Sequence, residues 1–191
     1  MKRIMRPITI IFALAAIAAA GTAQAANPPV RFGTAAPNFI TATLDGELLT
    51  MDQIRGHVLL FDFWTTWCPV CRDEATMIEQ LSKEFGPKGL IVVGLNCDQP
   101  DTQPEVRRFV VQNGMNYIVT LTGDANADAQ TAYNVISYPT LVLIDKNGYV
   151  RWSQTGAGCG DDIDLPVWIK QLLAEKRVGQ SSRKIRRAGH R

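Results

Sequence analysis

Two cysteines spaced i and i+3, Cys68 and Cys71, are the residues of this 191-residue chain best suited to chemistry. They follow an apolar, aromatic run from Val58 to Trp64. They open a stretch, Cys68 to Phe85, in which Ala75, Ile78, Leu81 and Phe85 recur at helical spacing. The pattern reads as a buried strand turning into an amphipathic helix, with both thiols at the helix start. Backbone N–H groups without intrahelical partners, together with the helix dipole, favour negative charge on sulfur there. The thiolate is the form that attacks disulfides. The spacing brings the second sulfur onto the same helix face, where it can resolve the mixed disulfide made by the first. Pro69 fits because a helix start does not need its N–H. Cys68, nearer the exposed end, is predicted to attack and Cys71 to resolve.

The same spacing admits other readings. Zinc needs about four ligands, and the remaining candidates, Cys97, Cys159, His57 and His190, are scattered without a second paired spacing. A soft-metal chaperone would want a Met or His beside the pair. A purely structural disulfide fits poorly with the aromatic strand in front and the helix behind. Peroxiredoxin-type peroxidases usually place a proline seven residues, and a threonine three residues, before the reactive cysteine; Thr65 meets the second condition and Phe61 fails the first. Dithiol exchange without metal or cofactor is the expectation.

Asp62 is the more informative carboxylate. A charge among Leu59, Leu60, Phe61, Phe63 and Trp64 is costly unless paired or protonated. Burial raises an Asp pKa, so Asp62 could take the proton from Cys71 during resolution. A structural hydrogen bond to a neighbouring strand or to Trp64 is the plainer reading.

The positioning elements can be read around the motif. Asp45-Gly46 between two short extended runs predicts a hairpin, and Thr50 can cap a helical turn, Met51 to Arg55, ended by Gly56. Leu90 to Asn96 reads as a second buried strand, and Pro104 opens a helix ending at Asn113-Gly114. Tyr117 to Leu121 is expected as a strand and Ala125 to Tyr133 as a helix. Thr140 to Asp145 and Tyr149 to Gln154 are strands joined at Lys146-Asn147-Gly148, and Ile163 to Lys176 is the last helix. Composition, 46% hydrophobic and 20% charged, suits one globular domain. The order predicts an α/β fold with a mixed sheet covered by helices, and a hairpin extension in front.

The sequence Phe61-Asp62-Phe63-Trp64-Thr65-Thr66-Trp67-Cys68-Pro69-Val70-Cys71 resembles the active-site strand and helix start of thioredoxins. With Ala36-Pro37-Asn38-Phe39, Tyr138-Pro139-Thr140 and Asp145-Lys146-Asn147-Gly148, the layout is similar to exported thioredoxin-like proteins of the TlpA, ResA and CcmG type. The resemblance covers about residues 33 to 176 and implies a thioredoxin-like fold and thiol–disulfide oxidoreductase activity. It implies Cys68 as nucleophile, Cys71 as resolving thiol, and Pro139 as a cis-proline that packs on the cysteines and presents backbone to substrate. It implies substrate contact for Tyr138, alongside Trp67, Pro69 and Val70. Glu74 matches an acidic residue acting near the cysteines, although Arg72-Asp73-Glu74 also reads as the solvated face of a helix start. Asp62 matches a buried acid beneath the resolving thiol of thioredoxin. The TlpA-type likeness favours a reductase of apocytochrome c or other protein disulfides, supplied by a membrane redox partner. An oxidant or isomerase would use the same residues.

Lys2, Arg3 and Arg6, the apolar run Pro7 to Ala20 and Ala23-Gln24-Ala25 describe a secretory signal over residues 1–25. The reading is then a linker at 26–36, the thioredoxin-like domain at 37–176 and a basic disordered tail at 177–191. A retained membrane anchor is the alternative to cleavage. Export to the periplasm or another extracytoplasmic space places the cysteines where disulfides persist. Residues 26–175 carry ten basic against eighteen acidic side chains, a net of −8, whereas the tail from Lys176 carries seven basic ones. An acidic exported body argues against nucleic-acid binding. The tail reads as a solvated terminus or as a weak tether to anionic lipid. Protein thiols and disulfides are the expected partners of a monomer. Cys97 and Cys159 end strands about three spacings apart, or roughly 14 Å, which favours two shielded free thiols over a second disulfide.

Overall fold

The computed structural model describes residues 30–99, 102–121, 124–156 and 164–178. The signal, the first four residues of the linker (26–29), Cys159 and the tail beyond Val178 lie outside the described residues.

Two short strands, β1 (Ile40–Ala42) and β2 (Leu48–Thr50), pair antiparallel as the predicted hairpin. Thr50 then caps α1 (Met51–Ile54), with Gln53 reaching back to the Thr50 backbone N–H in a capping box. The main sheet comprises β3 (Val58–Trp64), β4 (Leu90–Asn96), β5 (Ile118–Val119), β6 (Thr140–Ile144) and β7 (Val150–Thr155). Its order is β5-β4-β3-β6-β7, parallel on the β4 and β5 side and antiparallel on the β6 and β7 side. This is the mixed sheet the element order implied. β3 is central, and all of its residues are buried.

The alternation of β3 sorts its side chains. Val58, Leu60 and Trp64 join the core under α2 (Pro69–Phe85), α3 (Gln103–Gln112) and α5 (Leu165–Ala174). Leu59, Phe61 and Phe63 join the opposite core, with Phe39, Met51, Ile54 and Tyr133. Tyr133 directly follows α4 (Asp124–Ala132) and packs against Phe61 and Phe63. Trp64 stacks on Phe109 of α3, centroids 4.8 Å apart, which makes it a core ring.

Several boundaries differ from expectation by a residue or more, three of them for a visible reason. The strand expected over Tyr117 to Leu121 contracts to Ile118–Val119, because at the sheet edge only these residues pair with β4. β7 begins at Val150, and Tyr149 instead bridges Ala35; a bulge between Leu143 and Ile144 leaves Arg151 as the extra residue. α5 runs Leu165–Ala174 and stops earlier than expected. Its last carbonyls are taken by Lys146 Nζ, which donates to Leu173 O at 2.5 Å and Glu175 O at 3.1 Å.

Candidate active site

Cys68 and Cys71 meet where β3 ends and the 17-residue α2 begins. Cys68 is the N-cap in extended backbone, Pro69 follows at the first helical position, and Cys71 lies within the first turn. The two sulfurs are joined in a disulfide, with Cα atoms 5.3 Å apart. The Cys71 backbone N–H donates to Cys68 Sγ at 3.1 Å, so an N-terminal amide of the helix is spent on this sulfur. The expectation that Cys68 is the more exposed thiol needs correcting: Cys68 is 4% and Cys71 5% exposed. What separates them is the N-cap position and the amide, both belonging to Cys68.

The loop ahead of Cys68 is held from the neighbouring strand. Asp98, just past β4, accepts from Thr66 N–H and from Asn96 Nδ2, each at 2.9 Å. Trp67 stands 68% exposed beside the disulfide, its ring edge-on to Tyr138 at 5.8 Å. The Tyr138–Pro139 peptide is cis. The Tyr138 hydroxyl donates to Gln130 Oε1 of α4 at 2.7 Å, and its ring packs against both cores. The Pro139 carbonyl accepts from Gly156 N–H at 2.8 Å. This bond ties the cis-proline loop to the end of β7. Val70 is half-buried and Pro69 exposed.

Asp62 is 3% exposed, on the face of β3 that packs under α2. Burial pushes its pKa up to about 8; the Glu74 charge adds to the rise and the nearby Tyr117 hydroxyl opposes it. Glu74 is buried as well, which overturns its reading as a solvated helix face. Three residues past Cys71, it lies on the same side of α2 as Cys71, Ala75 and Ile78. Glu79, also buried on α2, shows the contrast. Burial pushes it up, but hydrogen bonds from Asn116 N–H at 2.8 Å and Asn116 Nδ2 at 2.9 Å, with Lys83 alongside, bring its pKa below the usual value.

Cys97 is a free thiol whose Sγ lies 3.2 Å from Leu95 O. Burial pushes its pKa strongly upward, against the pull of the Tyr138 hydroxyl, so it stays protonated at neutral pH. The suggested bond to Cys159 lies outside the described residues. Among the described residues no three His, Cys, Asp or Glu side chains come together as a metal site, and no helix is long and apolar enough to cross a membrane.

The structure thus groups Cys68, Cys71, Trp67, Tyr138 and Pro139 at one end of the sheet, with Asp62 buried on the α2 side of β3 and Glu74 buried on α2. Sequence reasoning missed Asp98, Gln130 and Tyr117. Only Asp98 carried a signal, being just past the end of a parallel strand next to the active-site strand, where α/β sheets gather functional groups.

Residues 32–153 match the AhpC/TSA family model. The thioredoxin-like protein YneN of Bacillus subtilis is 34% identical over 149 residues, spanning 77% of this chain and 79% of that protein. The thiol-disulfide oxidoreductase ResA of Bacillus thuringiensis is 31% identical over 121 residues, 63% of this chain and 68% of that one. Among solved structures, a thiol:disulfide interchange protein DsbE from Chlorobium tepidum superposes with a TM-score of 0.68 at 28% identity, covering 75% of this chain and 99% of that one.

Proposed function

The chain belongs to the AhpC/TSA family, and from that premise we propose that it is an exported thiol–disulfide oxidoreductase acting on protein substrates as a reductase. The observation that carries the reading is the Cys71 amide donated to Cys68 Sγ at the N-cap of α2. An amide and a helix dipole aimed at one sulfur stabilise its thiolate, which makes Cys68 the attacking group. The relatives named ResA and DsbE support the reaction class.

In the reducing direction the Cys68 thiolate attacks one sulfur of a substrate disulfide. A mixed disulfide forms and the other substrate sulfur leaves as a thiolate. Cys71 then loses its proton and attacks Cys68 Sγ, which releases the second substrate thiolate. The protein is left with the Cys68–Cys71 disulfide, two electrons having passed to substrate. Asp62, buried on the α2 side of β3, is the acceptor we assign to the Cys71 proton. Its raised pKa keeps it competent near neutral pH. Glu74 adds negative charge that raises the proton affinity of Asp62. Trp67, Pro69, Val70, Tyr138 and Pro139 form the surface against which substrate docks, with Trp67 as the apolar anchor.

The signal-like segment at 1–25 and the names of the relatives support an extracytoplasmic site, and with it a membrane redox partner that returns electrons to the pair. Apocytochrome c is one substrate class in keeping with this reading. The basic tail would add at most a weak, salt-sensitive contact with anionic lipid.

Purified mature protein, a peptide disulfide and a glutathione redox series test the proposal. Cys68→Ser should lower exchange by a factor of about 1,000 or more, and Cys71→Ser should accumulate the mixed disulfide on Cys68. A reductase should have a potential nearer to thioredoxin, about −270 mV, than to the strong oxidants of the fold, near −120 mV. A potential above about −150 mV overturns the reducing direction. Peroxide turnover that outpaces disulfide exchange overturns the reaction class.

A further inference from the structure

We propose that Tyr117 positions the Asp62 carboxyl for proton exchange with the dithiol, its ring seated in the space that Gly94 leaves by having no side chain. The proposal rests on the acid–base role given to Asp62 above.

Asp62 pairs with Gly94 of β4, and Gly94 with Val119 of β5, so the three stand side by side across the sheet. A Cβ on Gly94 would lie 3.0 Å from Tyr117 Cε2 and 3.1 Å from Trp64 Nε1. Two rings thus occupy the space that any side chain at position 94 would fill, beside Asp62. The Tyr117 hydroxyl is fully buried without a hydrogen-bond partner among the described residues, and the buried acid whose pKa it lowers is Asp62. A buried hydroxyl without a partner is costly, and phenylalanine would fill the same volume at no such cost.

The segment carrying Tyr117 is fixed from α2. Asn116, its chain neighbour, gives its backbone N–H and Nδ2 to the two carboxylate oxygens of Glu79. Adjacent residues on one short segment therefore address two buried carboxyls, Glu79 on α2 and Asp62 on β3. The titratable groups facing Asp62 are Glu74 from α2, Tyr117 from the segment before β5 and Cys97 from the end of β4; Glu79 also faces Tyr117. Glu74 makes Asp62 harder to ionise, whereas Tyr117 works the other way. The phenol itself is held protonated by burial and by these carboxyls, so it remains a donor throughout the working range.

The test follows the Asp62 carboxyl by carbon-13 NMR in the oxidised protein, together with the pH profile of dithiol exchange. Tyr117→Phe should raise the Asp62 midpoint by about one unit, a tenfold change in its protonation equilibrium, and the exchange profile should move with it. Site-specific 3-fluorotyrosine at position 117 keeps the ring and strengthens the donor, so it should move both midpoints downward. In an Asp62→Asn background neither change should move the profile. If Tyr117→Phe does not fold, the fluorotyrosine protein carries the test alone. An unmoved midpoint, shifts of one sign in both variants, or equal shifts without Asp62 would overturn the role of Tyr117 and leave Asp62 in place. If Asp62→Asn itself leaves the exchange profile unmoved, the acid–base reading falls and this proposal with it.

Discussion

Asp62 and Asp145 are equally buried carboxyls, 3% and 5% exposed, at opposite ends of the same sheet. β6 runs from Thr140, opposite Phe63 near the dithiol, to Ile144, opposite Leu59, so Asp145 lies at the far end. There it is fully served. It accepts from Asn147 N–H at 2.8 Å, Tyr149 N–H at 3.0 Å and Arg151 Nη1 at 3.0 Å. Arg151 in turn grips Glu175 through both terminal nitrogens, at 2.8 and 3.1 Å. At the dithiol end Asp62 has a phenol and a second acid for neighbours and, among the described residues, no cation that lowers its pKa. The difference teaches where this fold stores proton affinity. A buried acid given a cation and two amides is a joint, whereas one denied them becomes a base near neutral pH.

The sharpest way to break the comparison is to neutralise Asp62. Its folded pKa lies above its unfolded value, so the folded state binds the extra proton between about pH 4 and pH 8. Stability therefore falls as pH rises through that window and is lost in full above the folded value. Asp62→Asn should flatten this slope, leaving the oxidised protein more stable than the parent by on the order of 3 kcal/mol at pH 9 and about equal to it at pH 3.5. Urea unfolding at the two pH values measures it. The same substitution should slow exchange at least tenfold, a factor within the reach of a lost general base. A variant destabilised at both pH values would mean that Asp62 is a structural carboxyl like Asp145.

At the far end the expectation reverses. Arg151→Met strips the cation from Asp145 and Glu175 while keeping much of the side-chain volume. Arg151 is partly exposed, so the loss is discounted from the range for a fully buried pair to about 2 kcal/mol. Exchange rate and reduction potential should not change. A shift in potential would show that the two ends of the sheet are coupled, and the contrast drawn between them would fail.

Legibility in the sequence followed the same division. β3 and β4 match the reading residue for residue, because nearly continuous apolar runs of seven leave little choice of bounds. Asp62 stood out for the same reason, as a charge with apolar neighbours on both sides. Glu74 was harder: Arg72 and Asp73 beside it are exposed and suggest a solvated turn, but its phase with Cys71, Ala75 and Ile78 put it inside. Tyr117, Asp98 and Gln130 reach the site from elsewhere in the chain, and apart from the place of Asp98 just past β4 no local pattern ties them to it. Their roles depend on which strand lies next to which, and on a glycine whose importance lies in what it lacks.

Gln130 offers the finest cut. It touches neither sulfur, yet it accepts the Tyr138 hydroxyl, and the Tyr138 ring sets the edge against which Trp67 rests. Losing one neutral hydrogen bond at a half-buried site costs about 0.5–1.5 kcal/mol, and only part of that reaches Trp67. Gln130→Leu should therefore raise KM for a peptide disulfide by a factor of about two to five, with kcat and reduction potential unchanged. Trp67→Ala should give a larger effect of the same kind, since it removes the exposed ring that Tyr138 orients. If Gln130→Leu lowers kcat instead, Tyr138 acts on the sulfur chemistry and not on docking.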